Sequence, residues 1–124
     1  MKFLDSNILA YAFYKNEYTL KCQKAIMEGG LTDTFNLIEA FFIIEKETGS
    51  WEIAQKSIKG LLKSSVHIID VDINLVFEAL KRIAKSRISI FDSIHYTCAL
   101  INGCNVIVSY DRDFDNLAIQ REEP

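Results

Sequence analysis

Apolar positions along the chain alternate between short runs and helical spacing. Phe3-Leu4 opens as a strand and passes into a helix beginning near Ser6. A second helix is predicted from about Tyr18 to Met27, stopped by Gly29-Gly30, since glycine favours the position just past a helix. Leu31-Thr32 reads as a short strand, and Asn36 to Thr48 as a helix closed by Gly49. Trp51, Ala54, Ile58, Leu61 and Leu62 share one helical face, as do Ile73, Val76, Phe77, Leu80 and Ala84 further on. Val66 to Ile69 is a strand candidate despite His67. Phe91, Ile94, His95 and Cys98 mark another helical face. Val106-Ile107-Val108 is the clearest strand, a β-branched run after the turn signal Asn102-Gly103, and a last strand is expected at Ala118-Ile119-Gln120.

Strands alternating with helices predict a parallel sheet with helices on both faces. In such sheets ligands bind beyond the carboxyl ends of the strands. Asp5 follows the first strand directly and Asp111 follows the clearest one closely, so both should project from the same edge. Glu39 and Asp92 stand near the starts of two predicted helices. Like-charged carboxylates repel when gathered, and a hard divalent cation with oxygen ligands relieves that repulsion.

Each acid also has an ordinary explanation. Asp5 suits the N-cap of the first helix. Asn36-x-x-Glu39 and Ser89-x-x-Asp92 both have the spacing of a capping box. The joint pattern favours a shared role, because Asp92 lies between Phe91 and Ile94 on a helix whose apolar face must turn inward. The acidic run Asp111 to Asp115 reads either as a solvated turn or as a source of one ligand. Asp111, nearest the strand, is the first choice, Asp113 the second, and Asp115 is expected at the surface. Ser6, Asn7 and Ser109 are short polar side chains suited to orienting a carboxylate or a bound water. His95 fits the apolar stripe and is expected to support the acids rather than bind an ion.

Composition narrows the classes. The 124 residues suit one domain spanning 1–124, and 49% are hydrophobic, enough for a core. No apolar run approaches the roughly 20 residues of a membrane span. Nor does the amino terminus resemble a signal peptide. Cys22, Cys98 and Cys104 form no CxxC pair, which fits reduced thiols in a cytoplasmic protein and argues against zinc. The formal charge is 14 − 17 = −3, unlike that of a strongly basic nucleic-acid binder. Setting aside Asp5, Glu39, Asp92, Asp111 and Asp113 leaves 14 − 12 = +2, compatible with a phosphodiester substrate around an acidic centre. Lys15, Lys81, Arg82, Lys85, Arg87 and Arg112 are candidate substrate contacts.

Leu4-Asp5-Ser6-Asn7-Ile8, Asn36-x-x-Glu39, Ile90-Phe91-Asp92-Ser93-Ile94 and Ser109-x-Asp111-x-Asp113-Phe114 together resemble the blocks of the PIN domain family, and within it the small VapC-type toxins of toxin–antitoxin pairs. The resemblance covers nearly the whole chain. It implies a three-layer α/β/α sandwich with a central, mostly parallel five-stranded sheet. It implies a Mg²⁺- or Mn²⁺-dependent endoribonuclease acting on RNA. The family's acidic site carries over to Asp5, Glu39, Asp92 and Asp111, with Asp5, Asp92 and Asp111 as metal ligands and Asp113 as an auxiliary. Ser109 matches the hydroxyl residue of the last block. Many VapC-like toxins carry Asn where Asp111 stands, so that position follows the broader PIN pattern. For a toxin, a small antitoxin protein is the implied partner.

The Phe41-Phe42-Ile43-Ile44 cluster is too wide for a helix buried on one side, and suggests a homodimer or a protein-partner surface. Two other readings remain at this point: a housekeeping RNA-processing nuclease, and a non-catalytic scaffold whose acids only cap helices. A phosphatase with an Asp-x-Asp nucleophile is disfavoured by Asn7, and dinucleotide binding by the lack of GxGxxG.

Overall fold

A computed structural model describes the whole chain, Met1–Pro124. The elements run β1 (Lys2–Leu4), α1 (Ser6–Tyr11), α2 (Thr19–Glu28), β2 (Gly30–Asp33), α3 (Thr34–Thr48), α4 (Trp51–Leu62), β3 (Val66–Ile69), α5 (Ile73–Ser86), α6 (Ile90–Ile101), β4 (Val106–Val108) and β5 (Gln120–Glu122). A 3₁₀ turn covers Arg112–Phe114. The five strands form one parallel sheet in the order β3-β2-β1-β4-β5. From β1 the chain winds out through β2 to β3, then returns to lay β4 on the opposite side of β1. The order therefore reverses between β1 and β4, which is where such sheets open a crevice.

Alternation along the strands fills two cores. Leu4, Val106 and Val108 face α1 to α4, while Phe3, Leu31 and Ile107 face α5 and α6. The result is the three-layer sandwich expected, with every strand pair parallel. Gly30 makes the centre possible. A Cβ there would lie 2.7 Å from the Lys2 carbonyl oxygen, at a φ of +145° that other residues rarely adopt. No helix is long and apolar enough to cross a membrane.

Several local expectations shift. Helix α3 begins at Thr34, and its N-cap is Asp33, whose side chain accepts the Asn36 N–H. Asn36 is therefore inside the helix and buried, and the Asn36–Glu39 capping box does not form. Helix α5 is rolled away from the expected face, and of that set Val76 still packs against the core. Ile73 and Phe77 are 86% and 60% exposed, whereas Leu75 and Ala79 are buried. The small side chains explain this, since Ser93 on α6 approaches closely enough to donate to the Ala79 carbonyl at 2.7 Å. Likewise α4 buries Ala54, Ser57 and Leu61 but leaves Trp51 and Leu62 outside, and Phe91 stands at the surface of α6. The last strand starts at Gln120 rather than Ala118.

Candidate acidic centre

The ends of β1, β2 and β4 each deliver polar groups to the crevice. Asp5 leaves β1 and caps α1: its Oδ1 accepts the Ser6 N–H at 2.8 Å. Its Oδ2 accepts the Ser109 hydroxyl at 2.6 Å and the Asn7 amide at 3.1 Å. Three donors thus hold a 4%-exposed carboxylate in one orientation. Ser109, just past β4, also accepts the Asp111 N–H at 2.9 Å, so one hydroxyl couples Asp5 to the Asp111 segment. Asp111 caps the 3₁₀ turn by accepting the Asp113 N–H at 2.9 Å. Behind this corner, Arg121 on β5 donates to the Ser109 carbonyl at 2.8 Å and to Asp115 at 2.7 Å.

Helix α3 supplies Glu39. Its Oε2 accepts the Ser6 hydroxyl at 3.0 Å, and its Oε1 lies 2.8 Å from His95 Nε2 on α6. The other ring nitrogen, Nδ1, lies 2.7 Å from Asp33 Oδ2 at the end of β2. Ionised carboxylates only accept, so both ring nitrogens must donate and His95 is an imidazolium. Burial alone would push its pKa down. The hydrogen bonds it donates to Asp33 and Glu39, with their charges, outweigh burial and bring it up to about 10. Burial would also raise Glu39, but its bonds to His95 and Ser6 hold it below the ordinary carboxylate range.

Asp92 sits in the first turn of α6, its N–H donated to the Ser89 cap at 3.1 Å as the spacing suggested. Burial, and then the charges of Asp111, Asp5 and Asp113, push its pKa up to about 6 against a small opposing pull from His95. No hydrogen bond offsets this. Asp5 is likewise raised, by burial first and by Glu39, with His95, Ser109 and Ser6 pulling the other way.

Asp92, Asp111 and Asp113 each offer a carboxylate oxygen within 4.8 Å of the others. Oxygen-only donors under mutual repulsion fit a hard cation such as Mg²⁺ or Mn²⁺. Asp5, Glu39 and His95 are equally close. Both His95 nitrogens are already taken, however, so the ring is a supporting group and not a free ligand.

The predicted acids fall into two groups, Asp5 with Glu39 and His95, and Asp92 with Asp111 and the exposed Asp113. Ser109 bonds to Asp5 and to the Asp111 N–H, Asn7 to Asp5 and Ser109, and Ser6 to Asp5 and Glu39. Asp115 stays outside, paired with Arg121. Lys81 and Arg82 are engaged by Glu78 on their own helix. Sequence reasoning missed Asp33 and Arg121. The rule that singled out Asp5, an acid directly after a strand, applies equally to Asp33 after Leu31-Thr32.

The PIN domain family model matches residues 2–120, and the chain belongs to that family. Comparison with curated proteins gives no match. Among solved structures, the chain is similar to VapC20 of Mycobacterium tuberculosis, described as a sarcin-ricin loop cleaving toxin. The identity is 15% and the TM-score 0.80, over 97% of this chain and 99% of that one. It is also similar to VapBC2 of Rickettsia felis bound to a promoter DNA fragment, at 18% identity and TM-score 0.74, over 98% and 97%. A toxin–antitoxin complex from Klebsiella pneumoniae matches at 14% identity and TM-score 0.74, over 94% and 92%.

Proposed function

We propose that this protein is a metal-dependent endoribonuclease that hydrolyses RNA phosphodiester bonds, and that it serves as the toxin of a toxin–antitoxin pair. The observation that carries the reading is the meeting of Asp92, Asp111 and Asp113 within 4.8 Å, beside the triply braced Asp5. Asp5, Asp92 and Asp111 would hold Mg²⁺ or Mn²⁺. Such an ion, when bound, lowers the pKa of a coordinated water and stabilises charge on phosphate. Ser109 and Asn7 fix Asp5, Ser6 fixes Glu39, and Glu39 presents an ionised carboxylate able to orient water. Asp113 stands at the rim as an auxiliary acid.

The toxin role is supported by the similarity to a VapC toxin and to toxin–antitoxin complexes, and it carries a small antitoxin protein as partner. A homodimer is part of the reading. Ile38 and Phe42 on α3 and Ile73 and Phe77 on α5 are exposed, and Phe35 on α3 meets the exposed Phe91 on α6 with ring centres 5.9 Å apart. A cytoplasmic location is supported by three free, buried thiols.

The test is cleavage of a structured RNA pool with Mg²⁺, beside EDTA and Asp5→Asn controls. Cleavage should appear only in the first. Equal cleavage in all three refutes the assignment.

A further inference from the structure

We propose that Asp33 and His95 are positioning residues for Glu39, together forming a rigid strut from β2 through α6 that aims the Glu39 carboxylate into the acidic crevice. The inference rests on the nuclease reading and adds two residues to it. The strut is continuous: Asp33 Oδ2 to His95 Nδ1 at 2.7 Å, His95 Nε2 to Glu39 Oε1 at 2.8 Å, and Glu39 Oε2 to Ser6 Oγ at 3.0 Å. It ends on Ser6, whose N–H holds Asp5. Glu39 and Asp5 are therefore oriented by one common frame.

Exposure changes along the strut in a way that capping does not explain. The side chains of Asp33 and His95 are 0% and 1% exposed, while that of Glu39 is 33% exposed. Only the last member can meet a solute. As an N-cap, Asp33 needs one oxygen, Oδ1, for the Asn36 N–H. Ser or Asn would serve there equally well. Its second oxygen is given wholly to the histidine. Nor is stability a sufficient reason, because buried ion groups are commonly no better than well-packed apolar ones. What the arrangement does provide is a carboxylate with both oxygens fixed from the protein side, each keeping lone-pair capacity for a further partner.

The test uses Asp33→Asn, Glu39→Gln and the double variant, assayed at saturating Mn²⁺ with a fluorescent RNA. Asparagine keeps the cap through its one oxygen and turns its amide N–H toward the ring, where a neutral imidazole can accept it at Nδ1, so the fold should persist while the ion pair is lost. Asp33→Asn is expected to lower kcat about 10-fold or more, in the range for partners that orient a site's ligands, with a smaller change in KM. Added to Glu39→Gln, it should cost at most about 2-fold more, because both changes act through one carboxylate. Wild-type kcat in Asp33→Asn, or losses that multiply in the double variant, overturns the inference. A second measurement needs no turnover: nitrogen-15 spectra of wild type should show two hydrogen-bonded ring N–H signals for His95. Glu39→Gln should move the Nε2 signal, and Asp33→Asn should move or remove the Nδ1 signal. Signals absent from the wild type, or unchanged in both variants, also overturn it. Wild-type protein that cleaves no RNA with metal defeats the nuclease reading and this inference together. Cleavage by wild type with an unaffected Asp33→Asn defeats the inference alone.

Discussion

Replacing Asp92 by asparagine should make the metal-free protein more stable at neutral pH. Burial and the charges of Asp111, Asp5 and Asp113 raise the carboxyl from 3.8 to about 6. The folded state therefore holds the Asp92 proton more tightly than the unfolded chain does. Between those two values the folded form carries more protons, so stability falls as pH rises, and the full penalty is present above about pH 6. Each tenfold change in proton affinity is worth about 1.4 kcal/mol, which gives about 3 kcal/mol for the whole difference. Asp92 is only half-buried, and water screens part of that. Screening, and the loss of a favourable charge at the start of α6, reduce the expected gain to about 1 kcal/mol.

The assay is urea denaturation of wild type and Asp92→Asn in EDTA at about pH 7.5 and about pH 4. The variant should lead by about 1 kcal/mol at the higher pH, and most of the lead should vanish at the lower, where the aspartate is largely protonated when folded. Adding Mn²⁺ should reverse the order. An ion at a hundredfold excess over its Kd adds about 2.7 kcal/mol to wild type, and the variant gains less. If Asp92→Asn is no more stable than wild type at pH 7.5 in EDTA, the acids do not repel as described and the electrostatic argument for a cation fails.

Three further outcomes follow from the packing. Gly30→Ala should cost about 3 kcal/mol or more in urea, since its Cβ would lie 2.7 Å from the Lys2 carbonyl oxygen at a φ of +145°; a cost under about 1 kcal/mol would mean β1 and β2 part easily. Arg121→Ala should cost about 2 kcal/mol by stripping the Ser109 carbonyl and Asp115 of a partner whose side chain is 10% exposed; an unchanged urea midpoint would contradict it. Phe77→Glu, on the outer face of α5, should halve the mass of the wild-type species in light scattering; a monomeric wild type would remove the dimer from the reading.

The architecture was legible because β1 and β4 announce themselves. Phe3-Leu4 and Val106-Ile107-Val108 are short apolar runs, and the acids just past them fall at a shared edge once the strands are parallel. Ser89-x-x-Asp92 likewise marked a real helix start. The inward face of α5 was legible only in part, at Val76. Counting apolar residues selects Ile73, Phe77 and Leu80, but contact with α6 is made through Leu75 and Ala79, where a small residue lets the helices approach. Asp33 was hidden for a different reason. Its cap is local and ordinary, while its bond to His95 spans 62 positions of sequence, and no spacing rule reaches that far.

Charge balance makes the crevice lopsided. On the Glu39 side the chain supplies its own cation: His95 sits between Asp33 and Glu39, and Glu39 is held below its ordinary range. On the Asp92 side no cation bonds the carboxylate directly, and Asp92 is pushed up by burial first and then by three neighbouring acids, with His95 opposing from a distance. Uncompensated repulsion is where an added positive charge gains most. On the proposed reading, the demand for a divalent ion is therefore greatest at Asp92 and Asp111, with Asp113 at the rim and Asp5 adjoining through Ser109. Glu39, already satisfied by a fixed imidazolium, is better suited to holding water than to holding metal. Two carboxylates with opposed pKa shifts in one crevice thus point to a division of labour written into which acid received an internal partner.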